Sequence, residues 1–422
     1  MSGENHLNKL WIICLCLALP ACVSTYTGAV SPNPWVEISD SSVEVGAFQP
    51  AERPSLLYIT DRNTTPAGEY GTSRSSSMAF GRIGIEVSNM TLPAYSAYMS
   101  GQEQSRARPR YQAAGIEELI RFPGTPLPFS IENNAFTRDR SAVGAYLRAG
   151  AGFRTALADE IRARQSGQVV LFVHGFNNGF EDGAYNLFEL WAASGWSGVP
   201  VLFSWPTGEP NLLSYFGDTQ NGEFSIFHFK ETLRLISSTE GVEEIVVIAH
   251  SRGASIATTA LRELLIESRG AGLSMRNTYR INTLILAAPD IDLGVMEQRL
   301  VAEMFGIGFG QINVYINPDD NALGLAGLLF GSTRFGAARP DQLSSESRAV
   351  FRGVETVHFI LVEDAGAGER HNYFRLHPGV LSDIGVTIRT GAQPADSERP
   401  LERLEFNFWR IDRNYTPAYS GG

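Results

Sequence analysis

Short apolar runs recur along this chain, and each ends in a turn rich in glycine or polar residues. They are Val169–Val173, Ile245–Ala249, Leu284–Ala288, Ile312–Ile316 and Thr356–Val362. Continuous apolar runs of this length fit strands buried on both faces. Helical stretches alternate with them from about Leu56 onward. The pattern predicts an α/β domain: a mostly parallel open sheet of about eight strands with helices on both faces.

Ile245–Gly253, IVVIAHSRG, is the most informative run. Its apolar residues lead into Ser251, which has small residues two positions to either side, Ala249 and Gly253. A strained strand-to-helix turn that presents a serine needs small residues at those places. The motif is A-x-S-x-G, with alanine where the first glycine usually stands. Ala254, Ser255, Ile256 and Ala257 follow, short enough to start a helix close against the strand. The alternative is a strand–turn–helix whose serine only caps the helix.

A second signal favours chemistry. Val169–Val173 ends in His174-Gly175. Acyl transfer needs two backbone N–H groups aimed at a developing oxyanion. One comes from the residue after the nucleophile, the other from a loop after an earlier strand. Those residues are Arg252 and Phe176. Gly175 lets the backbone turn so that the next N–H faces the site. His174 is expected to tie the loop to neighbouring backbone. The Arg252 side chain is expected to face solvent at the start of its helix.

A serine nucleophile needs a base and an acid, in the chain order serine, acid, histidine. His358, His371 and His377 follow Ser251. His358 lies inside a strand-like run, and His377 precedes a proline. His371 follows the polar, glycine-rich loop 363–370 at the end of a late strand, where such a base belongs. Ile312–Ile316 runs into Asn317-Pro318-Asp319-Asp320, so Asp319 or Asp320 can supply the acid. Asp290 and Asp292, after Leu284–Ala288, are the rival pair.

With these landmarks the chain resembles the α/β-hydrolase superfamily, and within it a bacterial family of uncharacterised esterase/lipase-like proteins. The resemblance rests on YITDR at Tyr58–Arg62, the stretch Tyr70–Ser77 and HGFNNGFEDGA at His174–Ala184. It continues with VPVLFSWPT at Val199–Thr207, IAHSRG at Ile248–Gly253, APDID at Ala288–Asp292 and HNYF at His371–Phe374. It covers roughly Leu56 to Thr390. It implies the nucleophile at Ser251 and the base at His371. It also implies the acid at Asp320, in the context Asp319-Asp320-Asn321-Ala322-Leu323. Ala249 and Arg252 depart from the family pattern, which commonly has another small residue and a methionine there.

Composition narrows the partners. The net charge is −11 over 422 residues, which argues against nucleic acid. No P-loop or dinucleotide fingerprint is present, and no cofactor is expected. The carboxylate pairs Asp218/Glu223 and Asp290/Asp292 lack a histidine ligand set, so no metal is assigned. The stretch Trp205–Phe227 is broken early by proline and glycine. Its leucines and aromatics either wall an acyl pocket or pack an insertion onto the body.

The first residues are of another kind. Leu10–Leu19 is an apolar run too short for a stable bilayer span. It ends in Leu19-Pro20-Ala21-Cys22, which resembles a bacterial lipoprotein signal with Cys22 as the lipidated residue. All three cysteines, Cys14, Cys16 and Cys22, lie in this segment. The body therefore has no disulfide framework and no thiol nucleophile. The expected organisation is a signal at 1–22, a flexible tether at 23–55, the hydrolase domain at 56–390 and a C-terminal extension at 391–422.

Two functions compete. One is a serine hydrolase that cleaves a carboxylic ester or related acyl bond of a small-molecule substrate. The other is a non-catalytic envelope protein that keeps the scaffold for binding. The retained Ser, Asp and His in chain order favour the enzyme. Val23 is not the aspartate that holds lipoproteins at the inner membrane, so the resemblance implies outer-membrane attachment facing the periplasm. An ordinary secretory signal would instead give a soluble periplasmic protein.

Overall fold

The computed structural model describes residues 26–37, 53–103, 107–207, 212–339, 342, 345–366, 369 and 371–419. The expected signal and Cys22 lie outside the described residues. Among those described, one sheet has eleven strands. They are β1 (Ser55–Thr64), β2 (Tyr70–Val87), β3 (Tyr111–Arg121), β4 (Gln168–Val173), β5 (Val199–Ser204), β6 (Glu244–His250), β7 (Ile281–Ala287), β8 (Gln311–Ile316), β9 (Val357–Val362), β10 (Glu402–Glu405) and β11 (Phe408–Ile411). The spatial order is β10-β11-β9-β8-β7-β6-β4-β5-β1-β2-β3. The run from β11 to β1 is parallel; β10, β2 and β3 are antiparallel to their neighbours.

The central strands are apolar because both of their faces are covered. Along β4, Val169, Leu171 and Val173 enter one core, while Val170 and Phe172 enter the other. The first core is closed by α1 (Arg140–Arg164), α3 (Leu212–Ser237) and α4 (Arg252–Gly270). The second is closed by α2 (Phe180–Ala193) and α5 (Pro378–Thr390). From Leu212 onward, past the early proline and glycine, the stretch after Trp205 forms α3. Gly222 there faces Ile256 of α4, where an added Cβ would lie 3.3 Å away.

Three expectations about organisation are corrected. The sheet has eleven strands rather than about eight, because β2 and β3 extend one edge and β10 and β11 the other. Second, residues 26–37 are not part of a free tether. Glu189 is fully buried and takes its partners from the N-terminal segment and from Arg375. The Ala29 N–H donates to Glu189 Oε1 at 2.6 Å, and Arg375 reaches Glu189 Oε2 at 3.2 Å. Residues 36–37 then pair in parallel with 418–419.

Third, the C-terminal extension belongs to the domain. Phe408, Trp409 and Ile411 are buried, and β11 pairs with β9. Arg399 is fully buried and forks onto Asp383 of α5 at 2.9 and 2.8 Å. Tyr315 and Tyr415 each donate to the same carboxylate at 2.6 Å. A buried charge is tolerated only when paired and hydrogen-bonded in this way.

Candidate active site

Ser251 stands between β6 and α4 with φ 51° and ψ −121°. A non-glycine residue at positive φ is strained and persists only where its surroundings hold it. Here its N–H donates to Ala287 O of β7 at 2.9 Å, and its C=O accepts from the Asp290 N–H at 3.1 Å. Gly253 explains the small residue two positions on. A Cβ there would lie 2.4 Å from His174 O and 2.6 Å from Val173 O. Gly175 is equally constrained: a Cβ would fall 2.7 Å from His250 Nδ1 and 2.9 Å from Ser251 Cβ. The 174–178 loop therefore presses its backbone onto the serine turn.

His371 follows β9 and its loop. Its Nε2 lies 2.9 Å from Ser251 Oγ, and its Nδ1 lies 2.8 Å from Asp320 Oδ2. Asp320 follows β8 and caps the helix Asn321–Phe330. Its Oδ1 accepts from the N–H groups of Ala322 and Leu323 at 2.9 and 3.1 Å. The cap fixes one carboxylate oxygen and leaves the other for the imidazole. Burial alone would lower the His371 pKa, but the Asp320 charge and hydrogen bond outweigh it. The net shift is upward from 6.5. Three strand ends, β6, β8 and β9, thus bring serine, acid and histidine together at one sheet edge.

The other candidates stand elsewhere. Asp319 is 78 % exposed and 3.9 Å from Arg339. Asp292 caps the short helix Leu293–Met296 by accepting from the Val295 N–H at 2.8 Å. Asp290 is buried between Arg252 Nε at 3.6 Å and Arg334 Nε at 3.3 Å. The carboxylate at hydrogen-bond distance from His371 Nδ1 is that of Asp320. The Arg252 side chain does not face solvent as expected. It is 11 % exposed and donates to Thr219 Oγ1 at 3.1 Å. Its backbone N–H opens α4 immediately after the serine. His358 is held in β9 by Gln393, 2.8 Å from its Nε2, and the ring of His377 caps α5.

Phe176 follows Gly175, and His174 braces this loop. The His174 Nδ1–H donates to Gly175 O at 2.9 Å, and Trp205 Nε1–H donates to His174 O at 2.8 Å. Burial, with the adjacent Arg62 charge, pulls the His174 pKa down to about 3. The ring is therefore neutral, and its Nε2 is an acceptor.

Some residues around the site were not singled out by sequence. Arg62 is 1 % exposed. Its guanidinium reaches Asn178 O at 2.8 Å, Ser204 Oγ at 2.8 Å and Gly71 O at 3.1 Å, and lies 3.3 Å from His174 Nε2. The apolar strand running into Asp61-Arg62 was the available signal. Tyr373 accepts from the Ala288 N–H at 2.9 Å and donates to Tyr315 O at 2.7 Å, which ties the His371 segment to β7 and β8. His250 Nε2–H donates to His371 O at 3.0 Å.

The sheet order, the two helical layers and the serine turn between β6 and α4 define an α/β hydrolase. The chain belongs to the family described as alpha/beta hydrolase of unknown function (DUF900), which matches residues 149–388. Ser251, Asp320 and His371 all fall within that span. Comparison with curated proteins finds no match. Among solved structures, an esterase from Pyrobaculum calidifontis is 13 % identical, covering 53 % of this chain and 76 % of its own, with a TM-score of 0.29. A lipase-esterase related protein from Clostridium acetobutylicum is 12 % identical, covering 47 % and 76 %, with a TM-score of 0.21. A tryptophan synthase alpha chain from Legionella pneumophila is 8 % identical, covering 50 % and 76 %, with a TM-score of 0.20. Scores this low carry no argument about activity.

Proposed function

We propose that the protein is a serine hydrolase cleaving a carboxylic ester or a related acyl bond. One observation carries the reading: a continuous hydrogen-bonded relay from Ser251 Oγ through His371 to Asp320, with the serine on a strained turn. Ser251 Oγ attacks the acyl carbon while His371 Nε2 takes its proton. Asp320 holds the ring in the Nδ1–H tautomer and stabilises the imidazolium. The N–H groups of Phe176 and Arg252 receive the oxyanion. His371 then protonates the leaving group. Water, deprotonated by the same imidazole, attacks the acyl-enzyme and releases the acid.

The test is labelling with a fluorophosphonate together with turnover of a short acyl ester. Wild type is expected to label at Ser251 and to turn over. Ser251→Ala is expected to do neither, with a loss on the order of 10⁴ to 10⁶ in turnover. Labelling elsewhere, or near-normal turnover by the variant, overturns the assignment. We further propose that the chain is attached through Cys22 to the outer membrane, facing the periplasm. Fatty-acid incorporation into wild type but not Cys22→Ser is the expected result. A wild-type protein that takes up no lipid and fractionates as soluble overturns it.

A further inference from the structure

The N-terminal segment is tied directly to Arg375, on the segment that follows the base, and through Asn186 to the loop that carries one proposed oxyanion donor. Tyr26 OH donates to Asn186 Oδ1 at 3.0 Å, and Asn186 Nδ2 donates to Asn178 Oδ1 at 3.3 Å. Asn178 stands two residues after Phe176. On the other side, Arg375 donates to Thr27 O at 2.6 Å and stacks over the Tyr26 ring at 4.5 Å. Arg375 stands four residues after His371, and the Val30 N–H donates to its carbonyl at 3.3 Å. Gly28 is locked too: a Cβ there would lie 2.2 Å from Pro109 O. The chain is thus fixed to the body from Tyr26 onward, against α2, the start of β3 and Arg375, which stands four residues after His371.

The sequence before this point carries the apolar run Leu10–Leu19 and then Cys22. Val23, Ser24 and Thr25 separate Cys22 from Tyr26. Four backbone steps span at most about 14 Å. A tether of 23–55 would let the domain wander far from its attachment. A spacer of three residues ending at a point held by Asn186 and Arg375 does not.

We propose that the pinned segment holds the Ser251 site against the bilayer surface, and that its substrate is an acyl ester resident in that bilayer. The proposal rests on the hydrolase reading and on attachment at Cys22. Stable anchoring requires two or more chains, which a multiply acylated cysteine supplies. The ester linkage of a membrane lipid lies near the headgroup level, within reach of a site held at that depth. The reaction is the acyl transfer to Ser251 already described, with water as the final acceptor.

The test uses the full-length acylated protein in vesicles of phosphatidylethanolamine and phosphatidylglycerol. It is compared with a form carrying a roughly 30-residue Gly/Ser spacer between Ser24 and Thr25. Such a spacer has a root-mean-square length of about 30 Å. Phospholipid acyl release and turnover of soluble p-nitrophenyl acetate are measured on both forms, and acylation of Cys22 is read by mass. Phospholipid turnover is expected to fall about tenfold or more with the spacer, while turnover of the soluble ester stays unchanged. Equal phospholipid turnover by both forms overturns the proposal. So does a wild type that cleaves the soluble ester and leaves phospholipid intact, or one whose Cys22 carries no acyl group. Loss of both activities, with no fluorophosphonate label at Ser251, instead overturns the hydrolase reading, and this proposal falls with it.

Discussion

His371 Nδ1 sits 2.8 Å from Asp320 Oδ2, while Asp319, one residue earlier, extends into solvent. The difference comes from the cap. Two helix N–H groups hold Asp320 Oδ1 and turn Oδ2 toward the ring. Asp320→Asn is therefore expected to lower kcat/KM for a short acyl ester by about 10³ to 10⁴. Asp319→Asn is expected to leave it nearly unchanged. A crippled Asp290→Asn enzyme beside a mildly affected Asp320→Asn one would move the acid to the earlier strand end.

The same pair sets a pH dependence. Only neutral His371 can accept the serine proton, and its pKa is raised above 6.5 by Asp320. Activity is expected to fall as pH drops through that raised value, so the acidic limb of kcat/KM lies above pH 6.5. Asp320→Asn removes the charge that raises it, and the limb is expected to move down. A wild-type limb well below 6.5 would contradict the assignment.

The sequence pattern announces the parallel sheet and the serine turn, because buried strands and a strained turn restrict which residues can stand there. Gly253 illustrates this: only a hydrogen fits between its Cα and His174 O. The pattern leaves the acid open among Asp319, Asp320, Asp290 and Asp292, and only the family resemblance points to Asp320. The edges of the fold are less legible. The four residues of β11 become part of the sheet only by pairing with β9. The segment 26–37 belongs to a stretch with little periodicity, and it is ordered by partners 160 residues away, such as Asn186 and Glu189. Arg62 closes the YITDR landmark, but what it holds shows only once Ser204, Asn178 and Gly71 are brought around it.

Arg62 tests how the proposed oxyanion loop is held. Its fork to Asn178 O and Ser204 Oγ fixes the segment that presents the Phe176 N–H. Lysine keeps the charge and loses the planar fork. Arg62→Lys is expected to lower kcat by about 10- to 100-fold with little change in KM, since a misplaced donor weakens transition-state binding above all. The acidic limb of the pH profile is expected to stay in place, because His371 and Asp320 are untouched. A pure KM effect would mean that Arg62 acts on substrate binding instead.

The C-terminal segment is expected to be required for folding. Arg399 and Asp383 are both fully buried and are joined by two hydrogen bonds. Removing one partner of such a pair typically costs about 3 to 5 kcal/mol, because the other charge stays buried without its counterion. Arg399→Met is expected to lower the urea midpoint accordingly. Asp383→Asn with Arg399→Met is expected to recover part of the loss. Normal stability of Arg399→Met would place the pair outside the cooperative core.

Acid destabilisation is expected from the buried histidines. Burial lowers the pKa of His174 to about 3, and those of His358 and His377 to about 4. Unfolded, each titrates near 6.5. Between those values the unfolded chain binds more protons than the folded one, so stability falls as pH falls. Each group contributes a slope of up to about 1.4 kcal/mol per pH unit in that window. His371, with its raised pKa, works in the opposite sense: it adds stability as pH falls through its folded value, fully present below 6.5. His377 isolates one contribution. Its Nδ1 accepts from the Val380 N–H at 3.2 Å as the cap of α5, and protonation would destroy that acceptor. Asparagine can cap in its place without titrating. Urea unfolding of His377→Asn is therefore expected to lose less stability than wild type between pH 6.5 and 4.5. Equal losses in the two proteins would show that His377 is not held neutral in the folded state.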